Sequence, residues 1–217
     1  MKRLKEFIIE KLKISKRENI IYHPNTKQEL VDLIIKEVET NGPKCSLNHI
    51  DVSNITDMSY LFRGGNKDQY FGGHPILSEF DGDISAWNVS NVMNMSCMFE
   101  ECEYTGKNEG ISNWDVSNVT DFSGMFYNSK FNGDISNWDV SNGTDMSFLF
   151  AFSAFTGKNG DISNWDVSNV SKMNSMFHGT MFSGDLSKWD VSSVSNMDEM
   201  FAYSPLENNP PAWYKKY

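Results

Sequence analysis

The chain has 217 residues, 39% of them apolar, and a formal net charge of −10, enough for one sizeable core. Residues 1 to 45 hold ten Lys or Arg against seven Asp or Glu, so the rest carries −13 and offers nucleic acid no basic stripe. Cys45, Cys97 and Cys102 form neither a disulfide framework nor metal-ligand spacing, and no apolar run reaches the ~18 residues of a membrane span.

Residues 1–23 form the first unit, in which Lys2 to Ile14 reads as a basic amphipathic helix with Leu4, Phe7, Ile8 and Leu12 on one face. Three roles suit it: a cap, a docking peptide for a larger assembly, or, ranked last, a membrane-surface helix. Glu6, Glu10, Lys11 and Lys13 interrupt its apolar residues, so it lacks the continuous run of a secretory signal. The expectation is a cytoplasmic protein or one incorporated in a particle, unless it is exported by a non-standard route.

Residues 24–46 predict a second helix that caps the repeats beyond it. Asn25 suits an N-cap with Gln28 in capping-box position, Leu30, Leu33, Ile34 and Val38 supply the apolar stripe, and Asn41-Gly42-Pro43 ends it.

From residue 47 to 204 the chain repeats itself. Tryptophan recurs at Trp87, Trp114, Trp138, Trp165, Trp189 and Trp213, with Ile50 standing in for it in the first of about six coils. The distance onward to the next Phe never varies, running from Ile50 to Phe62, Trp87 to Phe99, Trp114 to Phe126, Trp138 to Phe150, Trp165 to Phe177 and Trp189 to Phe201. The return to the next tryptophan does vary, and it is longest in the first coil. A unit of this size cannot bury its apolar side alone and must stack on its neighbours. Apolar residues three before the tryptophan, at it and two after it (Ile84, Trp87 and Val89 in the second coil) predict a short strand. Steps of three and four thereafter, as in Val92, Met95, Met98 and Phe99, predict a short helix, for which Thr120-Asp121 and Thr144-Asp145 are reasonable starts.

The fold these signals predict is an α/β repeat solenoid with an α-helical N-terminal cap: parallel strands stacked at ~4.8 Å in a sheet roughly 25 to 30 Å long, short helices on the other side. Trp and Met ladders then belong to the core, and Gly143, where other coils carry Val or Ile, leaves a defect in it. Residues 205–217, with Trp213 in register, close the last coil.

Outward positions give the candidate partner-binding residues. Asp115, Asp139, Asp166 and Asp190 follow the tryptophans, with Ser117, Ser141 and Ser168 two residues on. Carboxylates ~4.8 Å apart repel by roughly 1 to 4 kcal/mol per pair, so something offsets them. Ser hydroxyls, flanking Asn113, Asn137 and Asn164, or backbone N–H groups donating to each carboxylate is one reading; a recognition face for a basic partner is the second; a row of Ca²⁺ is the third, short of oxygens for calcium's shell. A ladder of Asn54, Asn91, Asn118, Asn142 and Asn169, ending in Ser193, is read as bonding neighbouring backbone. Matching insertions carry Lys107 and Lys158, and the long first-coil insertion, residues 63–79, carries Arg63, Tyr70 and Phe71, suited to a partner or to folding back over the stack.

The pattern I-x-x-W-x-V-S-x-V-x-x-M-x-x-M-F over residues 47 to 204, with its wording GDISNWDVSNVTDMSxMF, resembles the BspA-like leucine-rich repeats of bacterial and mycoplasma surface proteins. The resemblance implies a right-handed leucine-rich-repeat coil used for adhesion or protein recognition, with no catalytic activity. His23, His49, His74 and His178 fall in unrelated positions and no phosphate-binding glycine loop precedes a helix, so no enzyme is expected, and no resident cofactor. Two functions remain: an interaction or adhesin-like module that recognises a protein or surface through its strand face and return loops, or a structural component of a large assembly such as a phage virion, anchored by the N-terminal helix.

Overall fold

The computed structural model describes residues 21–65, 74–107 and 110–215. The basic helix with Leu4, Phe7, Ile8 and Leu12, and the insertion residues Tyr70 and Phe71, lie outside them.

Helix α1, Lys27–Asn41, caps the first repeat and buries Leu30, Ile34 and Val38. Its N-cap is Thr26 rather than Asn25. The Thr26 hydroxyl accepts from the Glu29 N–H at 3.2 Å while the Glu29 carboxylate reaches back to the Asn25 N–H at 2.7 Å, so the capping box runs from Thr26 to Glu29 and Gln28 turns instead to Asp32. Gly42, at φ 86°, ends the helix by donating its N–H to Val38 O, a left-handed conformation that glycine adopts without Cβ strain. A second short helix, α2 (Pro75–Ser78), sits inside the long insertion and packs against α1. Leu77 and Phe80 join the core there, so this described part of the insertion folds back onto the stack.

The predicted α/β solenoid with its parallel sheet and row of short helices is not what the repeats form. Among the described residues there is no β-strand, and beyond α1 and α2 the only helical segment is a 3-10 turn at Pro205–Glu207. Bridging between repeats is confined to isolated parallel bridges: one joins Ser46 to Asp83, four residues before the tryptophan position, and the others lie seven residues after it, running from Asp57 through Asn94, Asp121, Asp145 and Lys172 to Asn196. Turns on either side leave no room for a strand. In the third repeat the N–H of Trp114 closes onto Ile111 O, that of Val119 onto Val116 O and that of Met125 onto Phe122 O, and the other repeats turn in the same way.

The predicted helix fails for an equally local reason. Among the described residues, every non-glycine residue with positive φ falls ten or fourteen positions after the tryptophan: Tyr60, Cys97, Phe148, Ser175 and Glu199 at the first, Glu101, Asn128, Phe152 and Tyr203 at the second. A left-handed residue interrupts an α-helix, so the apolar steps of three are successive turns. Alternate N–H groups are thereby freed to point at the next repeat. Four of them in each of the first five repeats donate to alternate carbonyls of the following unit, as Met146, Phe148, Phe150 and Phe152 do to Lys172, Asn174, Met176 and His178. Thr120 and Thr144, expected to open helices, bond backwards to Met93 O and Thr120 O.

Side chains complete each junction. Every indole donates to the carbonyl three residues before the previous tryptophan position, at 2.8 to 3.3 Å. The five indoles from Trp87 to Trp189 are no more than 5% exposed, with the Val and Met ladders beside them. The phenylalanines at constant spacing stack at 5.3 to 5.9 Å between centroids. A second column, Phe80, Tyr104, Phe131, Phe155 and Phe182, stacks beside it at 5.8 to 6.4 Å. Gly143 leaves no defect: a Cβ there would come within 3.1 Å of Met146 and 3.3 Å of Phe122, whose ring fills the space where other repeats place Met.

Candidate partner-binding surface

Asp-x-Ser recurs in every repeat, and three times in the fourth, as Asp134-Ile135-Ser136, Asp139-Val140-Ser141 and Asp145-Met146-Ser147. In each, the carboxylate accepts the serine N–H two residues on, at 2.9, 3.1 and 3.0 Å in this repeat. These Asx turns bend the chain. Asp115 and Asp166 accept from Ser117 and Ser168 through both the hydroxyl, at 2.6 Å, and the N–H, and Asp190 accepts the N–H of Ser192. The Ser117 and Ser168 bonds hold the Asp115 and Asp166 carboxyls below the usual carboxylate range; for Asp166 they outweigh the opposing charge of Asp190. Asn88 takes the same turn in the second repeat, accepting from the Ser90 N–H and hydroxyl, so the position needs an acceptor oxygen rather than a charge. The exposed acidic ladder is therefore part of the scaffold. The Asn amides are too: those of Asn91, Asn118, Asn142 and Asn169 donate to the serine carbonyl of the preceding repeat at 2.7 to 2.8 Å, whereas that of Asn54, in the first repeat, donates to the Asn25 side-chain oxygen at 3.2 Å.

The other predicted site residues are dispersed. Arg63 is largely buried, paired with Glu100 at 3.0 Å and set over the Tyr60 ring at 5.3 Å, which fits it to joining the first two repeats. Lys107 and Lys158 are exposed at equivalent places, each after a positive-φ glycine whose absent Cβ leaves room for an aromatic ring: Phe131 beside Gly106, Phe182 beside Gly157. Among the described residues no cluster of three or more His, Cys, Asp or Glu is placed to hold a metal ion. Burial pushes the Cys97 and Cys102 thiols up to about 12, which leaves them unreactive at neutral pH.

A surface that the repeat pattern did not reveal runs along the left-handed positions of the last four repeats. Phe148, Tyr127, Phe152, His178 and Tyr203 touch in that order, with centroid separations of 6.3, 5.8, 4.8 and 5.2 Å. Phe148, Phe152 and Tyr203 are 42, 49 and 78% exposed and all three have φ near 57°. A bulky side chain in that region of φ is uncommon and costs of order 1 kcal/mol. Gly124, Asn128 and Gly179 hold equivalent positions in neighbouring repeats, so the backbone itself asks only for a residue tolerant of positive φ. The Phe152 ring overlies Gly179, where a Cβ would come within 2.7 Å of it. The only sequence signal was the clustering of aromatic residues at two positions of the later repeats, visible once those positions are known to be left-handed.

Residues 41–107 and 103–213 match the model of a family described as Mycoplasma protein of unknown function, DUF285. No curated protein and no solved structure matches the chain. No helix among the described residues is long and apolar enough to cross a membrane.

Proposed function

The chain belongs to the DUF285 family of Mycoplasma proteins of unknown function, and on that footing we propose that it is a non-catalytic recognition module that binds a protein partner through the row Phe148, Tyr127, Phe152, His178 and Tyr203. The observation that carries the reading is the run of exposed aromatic side chains on backbone positions where bulky residues are disfavoured and where the adjacent repeats place Gly124, Asn128, Ser175 and Gly179. Strain combined with exposure is poorly explained by folding and well explained by contact with a ligand.

Ring geometry favours a protein over a sugar. Successive rings meet at 74, 84, 54 and 55°, which makes a corrugated surface into which side chains fit, rather than a flat platform for a pyranose. The excess of acidic residues beyond residue 45 favours a partner that is neutral or basic on the facing side. The resemblance of the repeat to BspA-like surface proteins supports recognition or adhesion as the role, and the suppressed thiols support a non-catalytic one.

The test compares partner recovery by the full chain with that by a triple variant, Phe148→Gly, Phe152→Asn and Tyr203→Asn, which borrows residues used at these positions elsewhere in the stack. Loss of a specifically recovered protein with melting retained supports the proposal. Undiminished recovery by the folded variant overturns it.

A further inference from the structure

A carboxylate stands beside the aromatic row on the same kind of backbone. Glu199 holds the left-handed place ten residues after the tryptophan, at φ 55°, that Phe148 holds two repeats earlier. Its side chain is 68% exposed and leans back onto the fifth repeat, where Oε2 lies 3.4 Å from Nδ1 of His178. Among the described residues no Lys or Arg pairs with it. The Phe152 and Tyr203 rings flank the same imidazole, at 4.8 and 5.2 Å between centroids and inclined to it by 54 and 55°. Two exposed rings and one exposed carboxylate therefore surround a single histidine on the outer face of the stack.

The first junction of the stack shows what such a group accepts. There Tyr60 occupies the left-handed place of Phe148 and Glu199, and the Arg63 guanidinium lies over its ring at 5.3 Å while pairing with Glu100 of the next repeat at 3.0 Å. Arg63 directly follows the constant phenylalanine. The fourth and sixth repeats place Ala151 and Ala202 at that position, so the face that again offers rings and a carboxylate has alanine where the first repeat supplies the cation. We propose that this end of the row binds an arginine side chain of the protein partner, stacked on the exposed ring of Phe152 or Tyr203 and bonded to Glu199; the assignment rests on the row being a recognition surface. A planar guanidinium suits both contacts at once, because it stacks on an aromatic face and offers paired N–H groups to a carboxylate, whereas an ammonium is a point charge. The acidic excess beyond residue 45 draws a basic segment toward this face.

NMR titration of the isotopically labelled full chain tests this, with acetyl-Leu-Arg-Leu-amide as the probe. The control is the same peptide with citrulline, which keeps the shape of the arginine side chain and lacks its charge. The arginine peptide should shift the ring signals of Phe152, His178 and Tyr203 saturably in the millimolar range and bind at least ~10-fold more tightly than the citrulline peptide. Glu199→Gln should weaken the arginine peptide by at least ~5-fold and leave the citrulline peptide unchanged. The comparison of the two peptides uses the parent chain, so it stands whatever the variant does to stability. Equal binding of both peptides at the row overturns the arginine assignment and leaves the recognition role of the row intact; that role fails separately, if the triple variant still recovers the partner. Shifts confined to Asp115, Asp139 and Asp166 also overturn the assignment, as do an arginine preference that survives Glu199→Gln and the absence of any saturable shift up to roughly 20 mM peptide.

Discussion

The acidic row and the aromatic row cross successive repeats on the outside of the stack, yet they are built in opposite ways. Each carboxylate of the acidic row is engaged by a serine two residues on, and the same turn recurs in repeat after repeat. The aromatic row departs from what its backbone prefers and leaves rings in solvent. In a repeat protein, what recurs and is locally satisfied is scaffold, and what breaks the pattern at a conformational cost is the better place to look for function.

Changes that strike the shared scaffold should have the largest effect. Trp138→Ala removes a buried ring and its bond to Ile111 O and should destabilise by about 3–5 kcal/mol in a denaturant titration. A loss under about 1 kcal/mol would mean that the indoles do not tie the repeats together.

Acid should come next. Asp51, Asp115 and Asp166 are held low by their serine bonds; Asp57 and Asp145 are partly buried, which raises them, but their serine and lysine partners bring both below the usual range. Such groups bind protons more weakly folded than unfolded, so their stabilisation is complete above the unfolded value of about 3.9 and is lost as pH falls through the lower folded values. The denaturant midpoint should hold steady from about pH 7 to 5 and drop below about pH 4. A midpoint unchanged at about pH 3 would remove the carboxylates from the scaffold.

A smaller effect separates acceptor from charge. Asp121 accepts from the Ser123 N–H at 2.9 Å and its hydroxyl at 2.6 Å, and Asn94 and Asn196 occupy the same place in other repeats. Asp121→Ala should cost about 1 kcal/mol and Asp121→Asn less than about 0.5 kcal/mol at neutral pH. Equal losses would argue that charge, and with it a recognition role for the acidic residues, had been undervalued.

Much of the interior was readable from the sequence. Inward-facing indoles, valines and methionines, the Asn clips and the alternating insertions follow from spacing alone, because burial against a neighbouring repeat forces a strict period. Backbone conformation was not readable in this way. Steps of three apolar residues serve a helix and a chain of turns equally well, and the left-handed positions hold Tyr, Cys, Gly, Phe, Ser and Glu ten residues after the tryptophan, with no Gly or Asn signature to mark them. The second aromatic column was hidden by taking everything after the phenylalanine as variable return, although Tyr104, Phe131, Phe155 and Phe182 keep a fixed distance from the preceding tryptophan. The aromatic surface was hidden for the same reason as the left-handed turns that carry it.

Whether the exposed rings serve recognition and not folding is decided by the melting temperature of the Phe148→Gly, Phe152→Asn, Tyr203→Asn variant. Relief of three left-handed bulky residues should offset the lost ring contacts and leave Tm within about 3 °C of the parent. A fall of about 10 °C or more would show that the rings are structural and refute their assignment to recognition.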